Sequence, residues 1–486
     1  MMCFTRLHWR PSPHRGHRTH RSGWPCLVWL LLAWGAQAWG QATLGALPPA
    51  VQVALQQAKL PGEALSVVVL PVGSAGPPRL NHQAEVLRNP ASLMKLVTTS
   101  AALDLLGPAF TWRTPVFVEG SLRQGVLQGH VYFQGSGDPK LGVEQLWLAM
   151  RRLQGLGIKQ IQGDIVLDRS AFNLPPHDPA GFDGEPLRPY NAAPDALLVN
   201  FKSILIQFVP DPANQLVRVH AEPPLAGVQV QASVPLVGGD CNDYRGALKP
   251  EFGNPLQVRF LGGFPVGCSD KLWPVAYADP DRFASRAVLG MWQHLGGQLT
   301  GSVREGGVPQ NLKPIFVLES PTLGEVVRDI NKFSNNVMAE QLFLSMALQK
   351  RGPATPAAAK ELLELWWKER LGTTPPVIDK GSGLSRDSRI SALALANLLQ
   401  WDWRQPFMPE LIASLPLSGV DGTMKRSKSS AHAHVKTGSL KDAMGIAGYV
   451  DGPNGQRHVL VAMVNHPNAN QARPVMDALI DWTAGR

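Results

Sequence analysis

The stretch NPASLMKL, residues 89–96, is the point from which the rest of the chain is read. Pro90 stands where a first-turn proline belongs, and Leu93, Leu96, Val97, Leu103 and Leu106 keep helical spacing until Gly107-Pro108 ends the pattern. Ser92 therefore falls in the first turn of a predicted helix, where unpaired backbone N–H groups and the helix dipole favour negative charge. Lys95 follows one turn later on the same face, within reach of the Ser92 hydroxyl. A hydroxyl with an amine beside it is the pair that nucleophilic acyl transfer needs. Alone, this Ser-x-x-Lys spacing reads equally well as a solvated helix face.

Two later motifs sharpen it. Ser334-Asn335-Asn336 opens a second helical run through Val337, Met338, Leu342 and Leu344. There Ser334 can relay a proton and Asn336 can bind a substrate amide; the plainer reading is a pair of helix caps. Lys436-Thr437-Gly438 lies on an expected edge strand just before a C-terminal hairpin. Lys436 and Thr437 can bind a carboxylate there, and Gly438 would let substrate backbone approach closely; on its own, this motif is a turn.

Outward from these motifs the pattern is mixed. Pro48-Pro49 opens a helix to Leu60, Leu65 to Val72 reads as a strand, and Leu80 to Leu87 as its return. From Thr114 to Tyr277 short alternating runs predominate: Val126–Gln134, Gln160–Leu167, Ile204–Val209, Gly227–Val234 and Leu256–Leu261, with one helix expected over Val143–Leu156. Asp279-Pro280 reads as a cap and first helical position. Met444–Val450 and His458–Asn465 are strands joined by DGPNG, and a closing helix is expected over Asn470–Trp482. An α/β shell thus encloses a β-rich insert.

Composition excludes several classes. The 486 residues carry 46 Lys+Arg against 37 Asp+Glu, but five of the arginines lie in residues 1–38, which hold no acid. Removing those five from the formal +9 leaves +4, too little for a nucleic-acid binder concentrating basic charge in its folded part. The content of 42 Pro and 47 Gly marks turns rather than disorder. His14–Arg21 is basic, Pro25–Ala33 is apolar, and Ala36-Gln37-Ala38 is an A-x-A cleavage pattern; together they read as a secretory signal peptide over residues 1–38. A retained anchor is the alternative, but the apolar stretch is short for a span. Cys241 and Cys268 remain, 27 residues apart, and in an oxidising compartment are most simply a disulfide, the alternative being two buried thiols.

Together the three motifs resemble the set found in penicillin-binding proteins and class A β-lactamases, with Asn335 where Asp is usual. Spacing separates those two. Ser92 to Ser334 is 242 residues and Ser334 to Lys436 is 102, which leaves room for an insert that a class A β-lactamase lacks. The chain is similar instead to the D-alanyl-D-alanine carboxypeptidase/endopeptidase family, the low-molecular-mass class C penicillin-binding proteins of the penicillin-binding protein 4 type. GSGDPKL at 135–141, GDIVLDRSAF at 163–172, PYNAAPDAL at 189–197, INKFSNNVMAEQL at 330–342 and DKGSGLSR at 379–386 carry the likeness across almost the whole chain after the leader.

The resemblance implies an α/β (α+β) transpeptidase/β-lactamase-like domain over 39–112 and 277–486. It implies a β-rich inserted domain over 113–197 and 250–276, and a small nested third domain over 198–249. It implies a periplasmic serine hydrolase acting on peptidoglycan peptides and acylated by β-lactam antibiotics, with no cofactor, no metal and no nucleic-acid partner. Peripheral membrane or cell-wall complexes stay open. Ser92 would attack the penultimate D-Ala carbonyl, assisted by Lys95, Ser334, Asn336 and Lys436, with Thr437, Gly438 and Ser439 binding substrate. The backbone N–H groups of Ser92 and Ser439 would form the oxyanion hole. Asp168 and Arg386 match the acid and arginine that would read a diaminopimelate side chain, while Lys441 departs from the neutral residue expected there. Two other readings compete: a β-lactamase, for which no E-x-x-L-N segment follows Ser334 (Glu361 and Glu364 fall in an amphipathic helix), and a non-catalytic cell-wall scaffold.

Overall fold

The computed structural model describes residues 46–73, 76–452 and 455–486. The leader reading at 1–38 lies outside them, as do positions 74, 75, 453 and 454 within two of the expected turns. Among the described residues no helix is long and apolar enough to cross a membrane.

The site rests on one antiparallel sheet made from the two ends of the described chain. Its strands are β1 (Leu65–Pro71), β2 (Leu80–His82), β3 (Ala433–Leu440), β4 (Ala443–Asp451) and β5 (Arg457–Asn465), in the order β2-β1-β5-β4-β3. Both faces are apolar, so alternation along a strand chooses between two cores rather than between core and water. In β5, Val459, Val461 and Met463 face α2 (Met94–Leu106) and α5 (Ala392–Asp402). Leu460, Ala462 and Val464 face α1 (Pro49–Gln57) and α6 (Arg473–Thr483). The sheet is the middle layer of a three-layer sandwich. β3 lies at its edge, as expected for the strand that carries Lys436.

The return expected over Leu80–Leu87 is shorter than its alternation suggested. Gln83 adopts a positive φ of 46°, the chain leaves the sheet after His82, and Leu87–Arg88 pairs with Ile390–Ser391 instead. The Asp279-Pro280 cap is also displaced. The Arg282 N–H closes a turn on the Asp279 carbonyl, and the helix runs from Phe283 to His294.

The middle of the chain is mainly sheet. Arg113–Arg123 and Val126–Gln134 form a hairpin closed by Gln124-Gly125, both at positive φ, the two-residue turn whose twist matches the strands. Gln160–Leu167 is interrupted, giving Gln160–Ile161 and Ile165–Asp168, and the second piece pairs in parallel with both Val126–Gln134 and Val303–Glu305. Gly227–Val234 is likewise split between Gln229–Val230 and Ser233–Val237. A second sheet takes Ser203–Asp211, Leu216–Glu222, Ser233–Val237, Phe264–Pro265 and Lys271–Ala276. The two sheets share a core with the helices Val143–Gly155 and Phe283–His294, and the Cys241–Cys268 disulfide lies beside it.

Helices α3 (Leu323–Phe333) and α4 (Asn336–Arg351) join this part to the sandwich. Gln341 on α4, fully buried, donates to the carbonyls of Gly137 and Asp195 and accepts from the Asp195 N–H. The stretches GSGDPKL and PYNAAPDAL therefore hold the insert to the helix that begins at Asn336.

Candidate active site

Ser92 sits in a tight turn, not in α2 itself. Asn89 Oδ1 accepts from the Ala91 N–H at 2.9 Å, Ala91 takes a positive φ of 49°, and Ala91–Leu93 form a 3₁₀ turn that runs into α2 at Met94. Helix α2 is buried on every side from Met94 to Leu103, as only an interior helix is. Lys95 is thus carried on a helix with no wet face, and its side chain is 0% exposed.

Burial of an amine is tolerable only if its N–H groups are paired, and all three are. Lys95 Nζ donates to Ser92 Oγ at 3.0 Å, to Asn336 Oδ1 at 2.6 Å and to the Ser382 carbonyl at 2.7 Å. Burial lowers its pKa to about 7, partly opposed by the carboxylate of Glu340.

Ser334 lies at the corner between α3 and α4, in the left-handed conformation at φ 57° and ψ 38°. Asn335 fills the N-cap of α4, its Oδ1 accepting from the Met338 N–H. The capping role thus falls to Asn335 alone, leaving Ser334 and Asn336 to face the cleft. Lys436, also 0% exposed, reaches across from β3 to Ser334 Oγ at 2.9 Å and to the Thr437 carbonyl at 2.6 Å. Its pKa is held well below the ordinary lysine value, first by burial and then by the charge of Lys95. Two amines in one dry pocket disfavour each other's protonation.

Thr437 Oγ1 donates to Thr423 Oγ1 at 2.7 Å. At Gly438 a side chain would fall 2.6 Å from the Pro90 carbonyl oxygen and 3.2 Å from the Leu93 nitrogen. The glycine is therefore required by the close approach of β3 to the Ser92 turn. It fixes the Ser92 turn against the strand that holds Lys436.

Ser92, Ser334, Asn336 and Ser439 line one open cleft of about 950 Å³, together with Arg386, Lys441, Tyr190, Phe333 and Asp183. Arg386 stacks on the Phe182 ring at 5.0 Å and donates to its carbonyl. Asp168 is not part of this cleft. At the end of its strand it folds back on its own turn, Oδ1 accepting from the Ser170 N–H and hydroxyl while Oδ2 takes the Val308 N–H. It borders a separate cavity of about 750 Å³. The acid that does line the cleft with Arg386 is Asp183, whose carboxylate accepts from Tyr190 Oη and Asn191 Nδ2, both at 2.8 Å. It lies in FDGEP, a turn-rich run with no periodicity, so nothing in the sequence marks it.

A three-layer sandwich with a serine hydroxyl against a buried amine, and a second serine–lysine pair facing it, has the arrangement of a serine hydrolase. Comparison with known proteins narrows the class: the description "D-Ala-D-Ala carboxypeptidase 3 (S13) family" matches residues 47–486. The chain belongs to that family, and is a hydrolase of the D-alanyl-D-alanine carboxypeptidase type. It is 27% identical over 466 residues to a D-alanyl-D-alanine carboxypeptidase from Actinomadura sp. (strain R39), covering 90% of this chain and 84% of that one. It is 23% identical over 390 residues to the D-alanyl-D-alanine carboxypeptidase DacB of Haemophilus influenzae, covering 77% and 80%. The crystal structure of penicillin binding protein 4 (dacB) from Haemophilus influenzae superposes with a TM-score of 0.70, at 23% identity, over 89% of this chain and 98% of that chain.

Proposed function

We propose that Ser92 is the nucleophile and Lys95 its general base, acting on peptidoglycan stem peptides that end in D-Ala-D-Ala. The observation that carries the reading is the 3.0 Å contact from Lys95 Nζ to Ser92 Oγ, made by an amine fully out of water. Lys95 takes the Ser92 proton as Oγ adds to the penultimate D-Ala carbonyl. The oxyanion is received by the Ser92 and Ser439 N–H groups, each worth roughly 3–4 kcal/mol in the transition state. Ser334 delivers to the leaving D-Ala nitrogen a proton drawn from Lys436; the deacylating water gives one proton back along that route as it adds to the acyl carbon, and Lys95 returns its proton to Ser92 Oγ as the acyl chain leaves. Lys436 and Thr437 hold the terminal carboxylate. For a diaminopimelate side chain, Asp183 receives the ammonium and Arg386 the carboxylate, replacing Asp168 in that role. Cleavage of D-alanyl-diaminopimelate cross-links uses the same cleft, whose openness admits a second strand.

The leader at 1–38 fits delivery to the periplasm, where this substrate lies. Acylation by β-lactams follows from the same nucleophile; the Haemophilus influenzae penicillin binding protein 4 has also been solved in complex with a novel β-lactam. Asp183 is the one carboxylate lining the cleft among the described residues, and its bonds to Tyr190 and Asn191 leave it poorly placed to activate a deacylating water, which weighs against a β-lactamase. The test pairs a fluorescent penicillin with a D-Ala-D-Ala muropeptide. Stable labelling and D-Ala release, both lost in Ser92→Ala, are expected. Fast penicillin turnover without D-Ala release would instead identify a β-lactamase, and absence of labelling a scaffold.

A further inference from the structure

Helix α4 carries a second polar residue on the face of Asn336. Glu340, four residues on and one turn further along, is partly buried and lies outside the three motifs. Its Oε1 accepts from the Ser382 N–H at 2.8 Å. The carbonyl of that same residue accepts from Lys95 Nζ at 2.7 Å. One residue, Ser382, therefore joins the carboxylate to the amine through its N–H and its carbonyl.

The loop that holds this peptide is fixed on every side. Thr98 Oγ1 donates to the Gly381 carbonyl at 2.7 Å. Gly381 packs on Phe343, leaving a side chain only 2.6 Å from Phe343 Cβ. Gly383 has a φ of 72° and backs onto the Ala91 carbonyl, which a side chain would meet at 1.9 Å. Ala91 immediately precedes Ser92. The loop thus touches the nucleophile's turn at one end and the base's amine in the middle, and Glu340 is the charged group that anchors it.

We propose that Glu340 is a positioning residue for the hydrolytic reaction: it pins the 381–383 loop whose carbonyl holds Lys95 Nζ, and places a negative charge behind that amine. The proposal rests on the reading of Lys95 as the base. The charged groups coupled to the amine are Glu340 from α4 and Lys436 from β3, while Lys380 from the loop acts on Glu340; Glu340 is the anion among them. Burial pushes the Glu340 carboxyl up, and its bonds to Ser382 together with Lys380 and Lys95 hold it down. Against the cation of Lys436, the Glu340 charge raises the pH at which the amine becomes free to accept the Ser92 proton.

The two parts separate by substitution in the full chain, reading the acylation rate with fluorescent penicillin across pH. Glu340→Gln keeps an oxygen for the Ser382 N–H and removes the charge. Its plateau rate should stay close to that of the parent, while the acid limb moves to lower pH by about one unit. Glu340→Ala releases the loop, and its plateau should fall at least about tenfold at an unchanged apparent affinity for penicillin. A limb that stays in place in Glu340→Gln overturns the electrostatic part, and an undiminished plateau in Glu340→Ala overturns the anchoring part. Lys95→Met reports on the underlying reading: persistence of labelling there removes Lys95 as the base, whereas its loss with an immobile Glu340→Gln limb sinks only the inference about Glu340.

Discussion

Replacing Lys95 by arginine separates charge from proton acceptance. Lys95 titrates near about 7 instead of 10.5, so at pH 7 about half the molecules carry a neutral amine. An unshifted lysine would be neutral in about one molecule in 3,000, so the environment raises the free-base population about 10³-fold. Arginine keeps the positive charge and donors but cannot give up its proton at any working pH. Positioned general bases contribute about 10²–10⁴-fold, and Lys95→Arg is predicted to lose acylation on that scale, as Lys95→Met should. The assay is the second-order rate of labelling by a fluorescent penicillin, measured against pH for parent and variants. The parent should show an acid limb centred near about 7, falling tenfold per unit below it. A limb centred near the ordinary lysine value, or a Lys95→Arg variant that acylates at the parent rate, would falsify the neutral-base mechanism.

The same amines leave a mark on stability. Lys95 and Lys436 have depressed folded-state pKa values, so above about 7 the unfolded chain holds more protons than the folded one. Stability should therefore rise with pH from about 7 towards the unfolded lysine value by about 1.4 kcal/mol per unit for Lys95, with a contribution of the same sign from Lys436, and Lys95→Met should remove its share of that slope in urea midpoints taken at several pH values. Gly438→Ala should force β3 off the Ser92 turn and destabilise by about 1–3 kcal/mol, with a lower melting temperature and slower labelling; an unchanged variant would show that the two elements do not meet. Breaking the Cys241–Cys268 bond by double serine substitution reopens a 27-residue loop and should cost about 3–4 kcal/mol, read as faster hydrogen exchange in Ser233–Val237 with acylation intact. Asp183→Ala should weaken apparent binding of a diaminopimelate peptide by about tenfold or more, while peptides with a neutral side chain are cleaved as before.

What was legible in the sequence follows the range of the interaction. Ser92 and Lys95 are three residues apart, and the 3₁₀ turn that runs into α2 keeps the one-turn spacing that brings them together. Near-continuous apolar runs marked β1, β4 and β5, because a strand between two cores is dry on both faces and loses its polar alternation. Ser334 and Lys436 were found through their motifs, but not the corner that turns Ser334 into the cleft, since a serine at positive φ carries no signal of its own. The short parallel strands Gln160–Ile161 and Val303–Glu305 were blurred or missed because two or three residues show no period and pair only through distant partners. Asp168 stood in a recognisable strand end and drew attention. Asp183, in an aperiodic loop, reaches the cleft only through the fold. Glu340 was visible in principle, one turn after Asn336 on an apolar helix.

The pairing of β1 with β5 joins Leu65 to Val464 and so closes nearly the whole chain into one ring of contacts. During synthesis, a ribosome that has released Ser92 and Lys95 has yet to make the strands that seat them. The site proposed around Ser92 is therefore complete only once residues beyond 457 can dock beside β1. Under the proposed mechanism, a chain terminated before Lys436 carries the serine without the second lysine or β3 to β5, and should not be labelled by penicillin. Complementary fragments cut within the 376–380 segment should regain labelling only when mixed.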